Sequence, residues 1–320
     1  MELPDLAGRG EVVRRYAHLL HHFGKELGRR PLVLQNAQFF PDVFAPDEPS
    51  LVRLVRRLQV HAGMSDIPIA VRLLSREGLS SESALGEEAG GSCKTTGCGT
   101  GACAPAPVDG ELARLVEGPE GWTLNVLEGE LHHPVSLTTH LSRALAQVFL
   151  AETQSETTVI EAPVEASVDL AAVSLGFGLI ALEGSFIYAK SCGGPSVTTL
   201  TKLSVGEVAI ATALFIAMGN HSGRRALSKL GTTQRALLSE ANDWAASNQK
   251  IVAQLVSGPG ALMLGPPELR DTKPALLRWF ERPARPKELT LEEALASNLS
   301  DTELLALARS ADPKRPVRGM

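Results

Sequence analysis

Between Gly10 and Leu27 apolar residues recur three and four positions apart, at Val12, Val13, Tyr16, Leu19, Leu20 and Phe23. That spacing predicts a helix with one buried face, ended by Gly28. A second helix is expected to begin near Asp47, carry Leu51, Val52, Leu54, Val55 and Leu58 inward and end at Gly63. Pro31-Leu-Val-Leu-Gln35 and Pro68-Ile-Ala-Val-Arg-Leu-Leu74 are short apolar runs beside turn residues, and both are expected as strands. Trp122 to Leu127 alternates like a third strand, and His133-Pro134 leads into a helix from about Ser136 to Thr153. Glu165 to Lys190 reads as one long apolar helix, broken by the turn Ser191-Cys-Gly-Gly-Pro195. Ser204-Val-Gly-Glu207 is a capping box that opens the next helix. Thr232 to Ser247 then places Leu237, Leu238, Ala241 and Trp244 on one side. The fold class is α+β, a small N-terminal sheet with helices followed by a mainly α-helical body.

From Ser75 to Gly121 the chain turns to Ser, Gly, Thr, Pro and acidic residues, a composition too poor in apolar surface to hold a regular element. The organisation follows. Residues 1–75 form an N-terminal α+β segment, 76–120 an exposed Cys/Gly-rich loop, 121–264 a helical core completing the same domain, and 265–320 a C-terminal helical tail. In that tail Thr290-Leu-Glu-Glu293 and Ser300-Asp-Thr-Glu303 repeat the capping-box pattern.

The 320 residues are 44% hydrophobic and 21% charged, ordinary for a globular chain, but only 4% aromatic, so Leu, Val and Ala must build the core. A net charge of -5 supplies no electrostatic reason to bind nucleic acid or an acidic membrane. Leu170–Leu182 and Val208–Asn220, each about thirteen residues, are shorter than the roughly 20 a bilayer requires and are expected as buried helices. No apolar run follows a basic start near Met1, which disfavours ordinary export. The expected location is the cytoplasm of a bacterial-type cell, and the expected partner is another protein.

Cys93, Cys98 and Cys103 place three soft ligands within eleven residues, separated by glycines that let the backbone fold round an ion. Thiolates so clustered suit zinc or an iron–sulfur centre, with Cys192 and His132 or His133 as candidates for a fourth ligand. The spacing matches neither a zinc knuckle nor a ferredoxin run, so a redox disulfide and adventitious thiols stay open beside it. Cys192 follows a predicted helix C-terminus, where the dipole raises a thiol pKa, a poor setting for an activated nucleophile. A serine elbow, a phosphate loop and a dinucleotide fingerprint are absent from the sequence. Gly176-Phe-Gly178 falls inside a predicted helix with no strand before it.

The helix Thr138–Leu150, followed by Glu165–Gly178, has the layout of the helix pair of gluzincin-type zinc metallopeptidases, which it resembles. In that family the first helix carries H-E-x-x-H and the second supplies a Glu. Here the motif position reads Arg143-Ala-Leu-Ala-Gln147. Two imidazoles one turn apart grip the zinc and the intervening carboxylate takes a proton from its water, and Arg, Ala and Gln do neither. His140 cannot replace them, because its i+4 partner is Ala144. The resemblance implies a peptidase-type scaffold that has lost catalysis and kept its shape, with Glu165 or Asp169 where the third ligand is carried. Asp169, Glu183, Lys190 and Glu207 interrupt the apolar helices, and a buried carboxylate must be paired, exposed or used. Glu207 is explained by its cap. Glu183 is expected to pair with Lys190 or Arg143, or else to line a ligand cleft. The candidate cleft residues are Arg143, Gln147, Glu165, Asp169 and Glu183. The functional expectation is a non-catalytic scaffold or interaction protein. The alternative is a zinc or iron–sulfur protein or metalloenzyme using Cys93, Cys98 and Cys103.

Overall fold

A computed structural model describes residues 2–24, 27–28, 30–75, 114–153, 164–191 and 194–272. Cys93, Cys98, Cys103, Cys192 and the two capping boxes of the tail lie outside the described residues. The described elements belong to one compact unit, Met1–Lys273.

Helix α1 (Leu6–Phe23) starts at Asp5, whose side chain accepts from the Gly8 amide, and buries Val12, Val13, Tyr16, Leu19 and Leu20 as the periodicity predicts, but it ends at Phe23 with Gly24 as its cap, short of the Gly28 expected. Helix α2 (Glu48–Ala62) has both its ends marked in the sequence. The Asp47 carboxylate accepts from Ser50 N–H, and Gly63 takes the left-handed conformation (φ 64°) that releases the chain. Strands β1 (Ile69–Leu74), β2 (Leu115–Gly118) and β3 (Gly121–Leu127) form a sheet in the order β1-β3-β2. β1 runs parallel to β3 with Ile69 opposite Trp122, and β2 runs antiparallel with Gly118 opposite Gly121.

Three expectations are corrected. Strand β2 lies inside the stretch read as irregular: it has four residues, most of them exposed, so no apolar period announces it. Pro31–Gln35 is not a strand. It runs beside a helix, with Val33 N–H donating to the Gly176 carbonyl (3.0 Å), and so finds no ladder. The long apolar helix stops at Gly184, six residues early. After it, β4 (Ile187–Ser191) and β5 (Gly194–Thr198) pair antiparallel where the last helical turns and a turn were expected. A Cβ on Gly184 would stand 2.3 Å from the Thr139 side chain. Close approach to the neighbouring helix thus requires glycine at this last helical position, and β-prone Ile187 and Tyr188 follow.

Helix α3 (Pro134–Thr153) packs along this long apolar rod, which consists of α4 (Val164–Ala172), a π turn (Val173–Phe177) and α5 (Gly178–Gly184). At the turn Gly176 adopts φ 96°, and a Cβ there would meet the Pro31 carbonyl at 2.3 Å, so both conformation and space require glycine. By length and composition Glu165–Gly184 is long and apolar enough to cross a bilayer, more than the thirteen residues read from the sequence. Of its apolar window, 94% is buried inside the protein, where α1, α3 and α6 (Val205–Met218) surround it. The capping box before α6 is formed: Ser204 Oγ accepts from Glu207 N–H, and the Glu207 carboxylate accepts from Ser204 N–H at 2.8 Å. Helices α7 (Gly223–Leu227), α8 (Thr232–Ser247) and α9 (Gln249–Ser257) close the body, with Trp244 of α8 fully buried. Full burial of each Leu, Ile or Phe side chain stabilises by about 1.5–3 kcal/mol, so this aliphatic centre is the principal stabilising feature of the fold.

Candidate functional site

A cavity of about 410 Å³ opens where the segment between Gln35 and Phe44, one face of α2, the first turns of α3 and the end of α5 meet. Its inner wall is apolar, with Leu137 and Ile180 each 1% exposed, and Phe40 and Leu54 continue it outward. Val43, 89% exposed, and Phe44 stand at the rim. The segment is held by its own bonds. Asn36 Oδ1 accepts from Gln38 N–H (2.9 Å) and Phe39 N–H (3.2 Å), and the His61 ring lies 2.9 Å from the Phe39 carbonyl.

Glu183, half-buried in the last turn of α5, reaches this cavity, and its Oε2 accepts from Gln35 Nε2 at 2.6 Å. Burial pushes its pKa above the ordinary glutamate value, and the Gln35 hydrogen bond offsets only part of that. The other charged groups on the cavity wall have partners of their own, ionic for Arg57 and Asp42 and neutral for Arg53. Arg57 pairs with Asp42 at 2.8 Å, and Arg53 donates to Ser50 Oγ at 2.7 Å while its charge acts on neighbouring Asp47.

The expected pairing of Glu183 with Arg143 is therefore corrected: Glu183 bonds Gln35, Arg143 is engaged elsewhere, and the side chain of Lys190 lies outside what the structure describes. Arg143 Nε donates to Asp169 Oδ1 at 2.7 Å. Asp169 is wholly buried, and its other oxygen accepts from the backbone N–H groups of Lys202 (2.6 Å) and Leu203 (2.9 Å). Burial drives the Asp169 pKa up, and Arg143 with the two amides pulls it part of the way back. Of the five cleft candidates Glu183 alone lines the cavity. Arg143 and Asp169 are joined to each other in the interior, and Gln147 and Glu165 are exposed.

A further charged cluster went unread in the sequence. Glu130, 8% exposed in the 3-10 turn before α3, accepts from both Arg114 Nη atoms (2.9 and 2.7 Å) and stands 3.0 Å from His140 Nδ1. Burial pushes its pKa up, but His140 and Arg114 outweigh it and hold the carboxyl at about 2. His140 on α3 thus faces the carboxylate of the 3-10 turn that precedes the helix. The only hint in the sequence was an i,i+10 spacing of Glu130 and His140, which carries no periodic signal. His132 is exposed and His133 half-buried. Among the described residues no group of three or more His, Cys, Asp or Glu stands together so as to hold a metal ion. Compared with protein families, with curated proteins and with solved structures, the chain matches none.

Proposed function

We propose that this protein works by binding and not by catalysis, as a scaffold or interaction component on a helical core that resembles a zinc peptidase without its metal ligands. The observation that carries the reading is the Arg143–Asp169 ion pair. In the register of the resemblance, Arg143 stands at the first imidazole position and Asp169 at a candidate third-ligand position. A guanidinium held 2.7 Å from that carboxylate supplies the positive charge a metal ion would have supplied. Gln147, at the second imidazole position, is exposed. The reading includes a cytoplasmic location and a protein partner.

The alternative is a metal-binding protein or metalloenzyme built on Cys93, Cys98 and Cys103, and it is supported by their spacing. Elemental analysis with an ultraviolet–visible spectrum, on full-length protein purified anaerobically, separates the two. The scaffold reading expects a metal-free chain. About one zinc, or an iron–sulfur absorbance, lost when the three cysteines become serine, would move the cysteine loop to the centre.

A further inference from the structure

We infer that the cavity between α2, α3 and α5 is a binding site for a small amphipathic amine, whose apolar body lies on Phe40, Leu54, Leu137 and Ile180 and whose ammonium group meets Glu183. This goes beyond the scaffold reading and holds whether or not the helices share ancestry with a peptidase.

The charge inventory of the wall selects the ligand class. Arg57 is paired with Asp42, and Arg53 bonds to Ser50 in the field of Asp47. Glu183 differs from Arg57, because its partner is the neutral amide of Gln35 and no cation stands within ion-pair distance among the described residues. Its place aggravates the imbalance. The last turn of α5 carries the negative end of the helix dipole, which disfavours a carboxylate and favours a cation. A half-buried carboxylate facing an apolar space is stabilised most by a positive group that brings its own hydrogen-bond donors. An ammonium does so, and an anionic group placed against Glu183 is repelled by it.

The shape limits the rest of the ligand. A volume of about 410 Å³ lies within the range of small-molecule pockets. Its walls offer apolar carbon from three helices and few hydrogen-bonding groups, so the body of the ligand is aliphatic or aromatic. Gln35 holds the carboxylate by one oxygen, which leaves the other for the incoming cation.

The test uses the full chain and three probes of one shape: 4-phenylbutylamine, 4-phenylbutanol and 4-phenylbutyrate, titrated by isothermal calorimetry. The expected result is that the amine binds at least tenfold tighter than the alcohol and that the carboxylate does not bind. Glu183→Gln, nearly isosteric and still able to bond Gln35, is expected to bring the amine down to the affinity of the alcohol. Equal affinity for amine and alcohol on the unaltered chain overturns the inference, as does failure of the amine to bind at millimolar concentration. Those two outcomes need no variant to fold. Unchanged amine binding by a folded Glu183→Gln chain overturns it as well.

Discussion

Replacing Arg143 by methionine keeps the aliphatic stem and removes the charge that faces Asp169. The carboxylate has no exposed surface of its own and would keep two of its three donors, the Lys202 and Leu203 amides. Breaking a buried ion pair from one side costs about 3–5 kcal/mol. The surviving amides and the 24% exposure of the Arg143 side chain, which admits water, place this case at the lower end, about 3 kcal/mol. For a body of this size that lowers Tm by roughly 6–12 °C. The pH dependence follows from the raised Asp169 pKa. A carboxyl raised in the fold contributes stability that is fully present below its unfolded pKa and lost as pH rises through the folded value. Arg143 lowers that folded value, so without it the group titrates higher still, and the penalty is largest at pH 7 and fades towards pH 4. Urea unfolding followed by circular dichroism at both pH values reads the difference. A loss under about 1 kcal/mol at pH 7, or one equal at pH 4, would refute the argument. Asp169→Asn added to Arg143→Met is expected to recover part of the loss, since no charge is then left unpaired.

Gly176→Ala is expected to destabilise by about 3 kcal/mol or more, because the new methyl meets the Pro31 carbonyl at a φ that L-residues avoid. Thermal unfolding checks this, and an unchanged Tm would show that the kink is not required. Glu130, lowered from 4.5 to about 2, contributes stability that is present above its unfolded pKa and lost as pH falls through about 2. That contribution is roughly 3 kcal/mol at neutral pH. Glu130→Gln should therefore unfold at lower urea at pH 7, and the gap from the unaltered chain should narrow as the pH approaches 2. A gap independent of pH would deny the carboxylate that role.

The elements read correctly from the sequence are those whose cause is local. Asp47 and Gly63 mark α2, and Ser204 with Glu207 marks α6. β1 and β3 are short apolar runs at turns. The misread segments have distant causes. Pro31–Gln35 has strand-like composition, but its hydrogen-bond partner is a glycine carbonyl in a helix more than 140 positions later. At the end of α5, Gly184 lies against Thr139, which no window round it contains. The candidate site divides the same way. Glu183 stood out as a carboxylate in an apolar run. Its partner Gln35 is 148 positions away, and the α2 residues that complete the cavity carry an ordinary helical pattern. Arg143 and Asp169 were both singled out, but only packing of α3 on α4 pairs them with each other.

The most direct test of a binding body without a catalytic metal is a zinc titration of the full chain carrying Cys93→Ser, Cys98→Ser, Cys103→Ser and Cys192→Ser, followed by a peptide-hydrolysis assay in zinc. The account predicts no stoichiometric zinc binding and no hydrolysis. One zinc per chain at micromolar affinity or tighter, lost on Asp169→Asn, would contradict it.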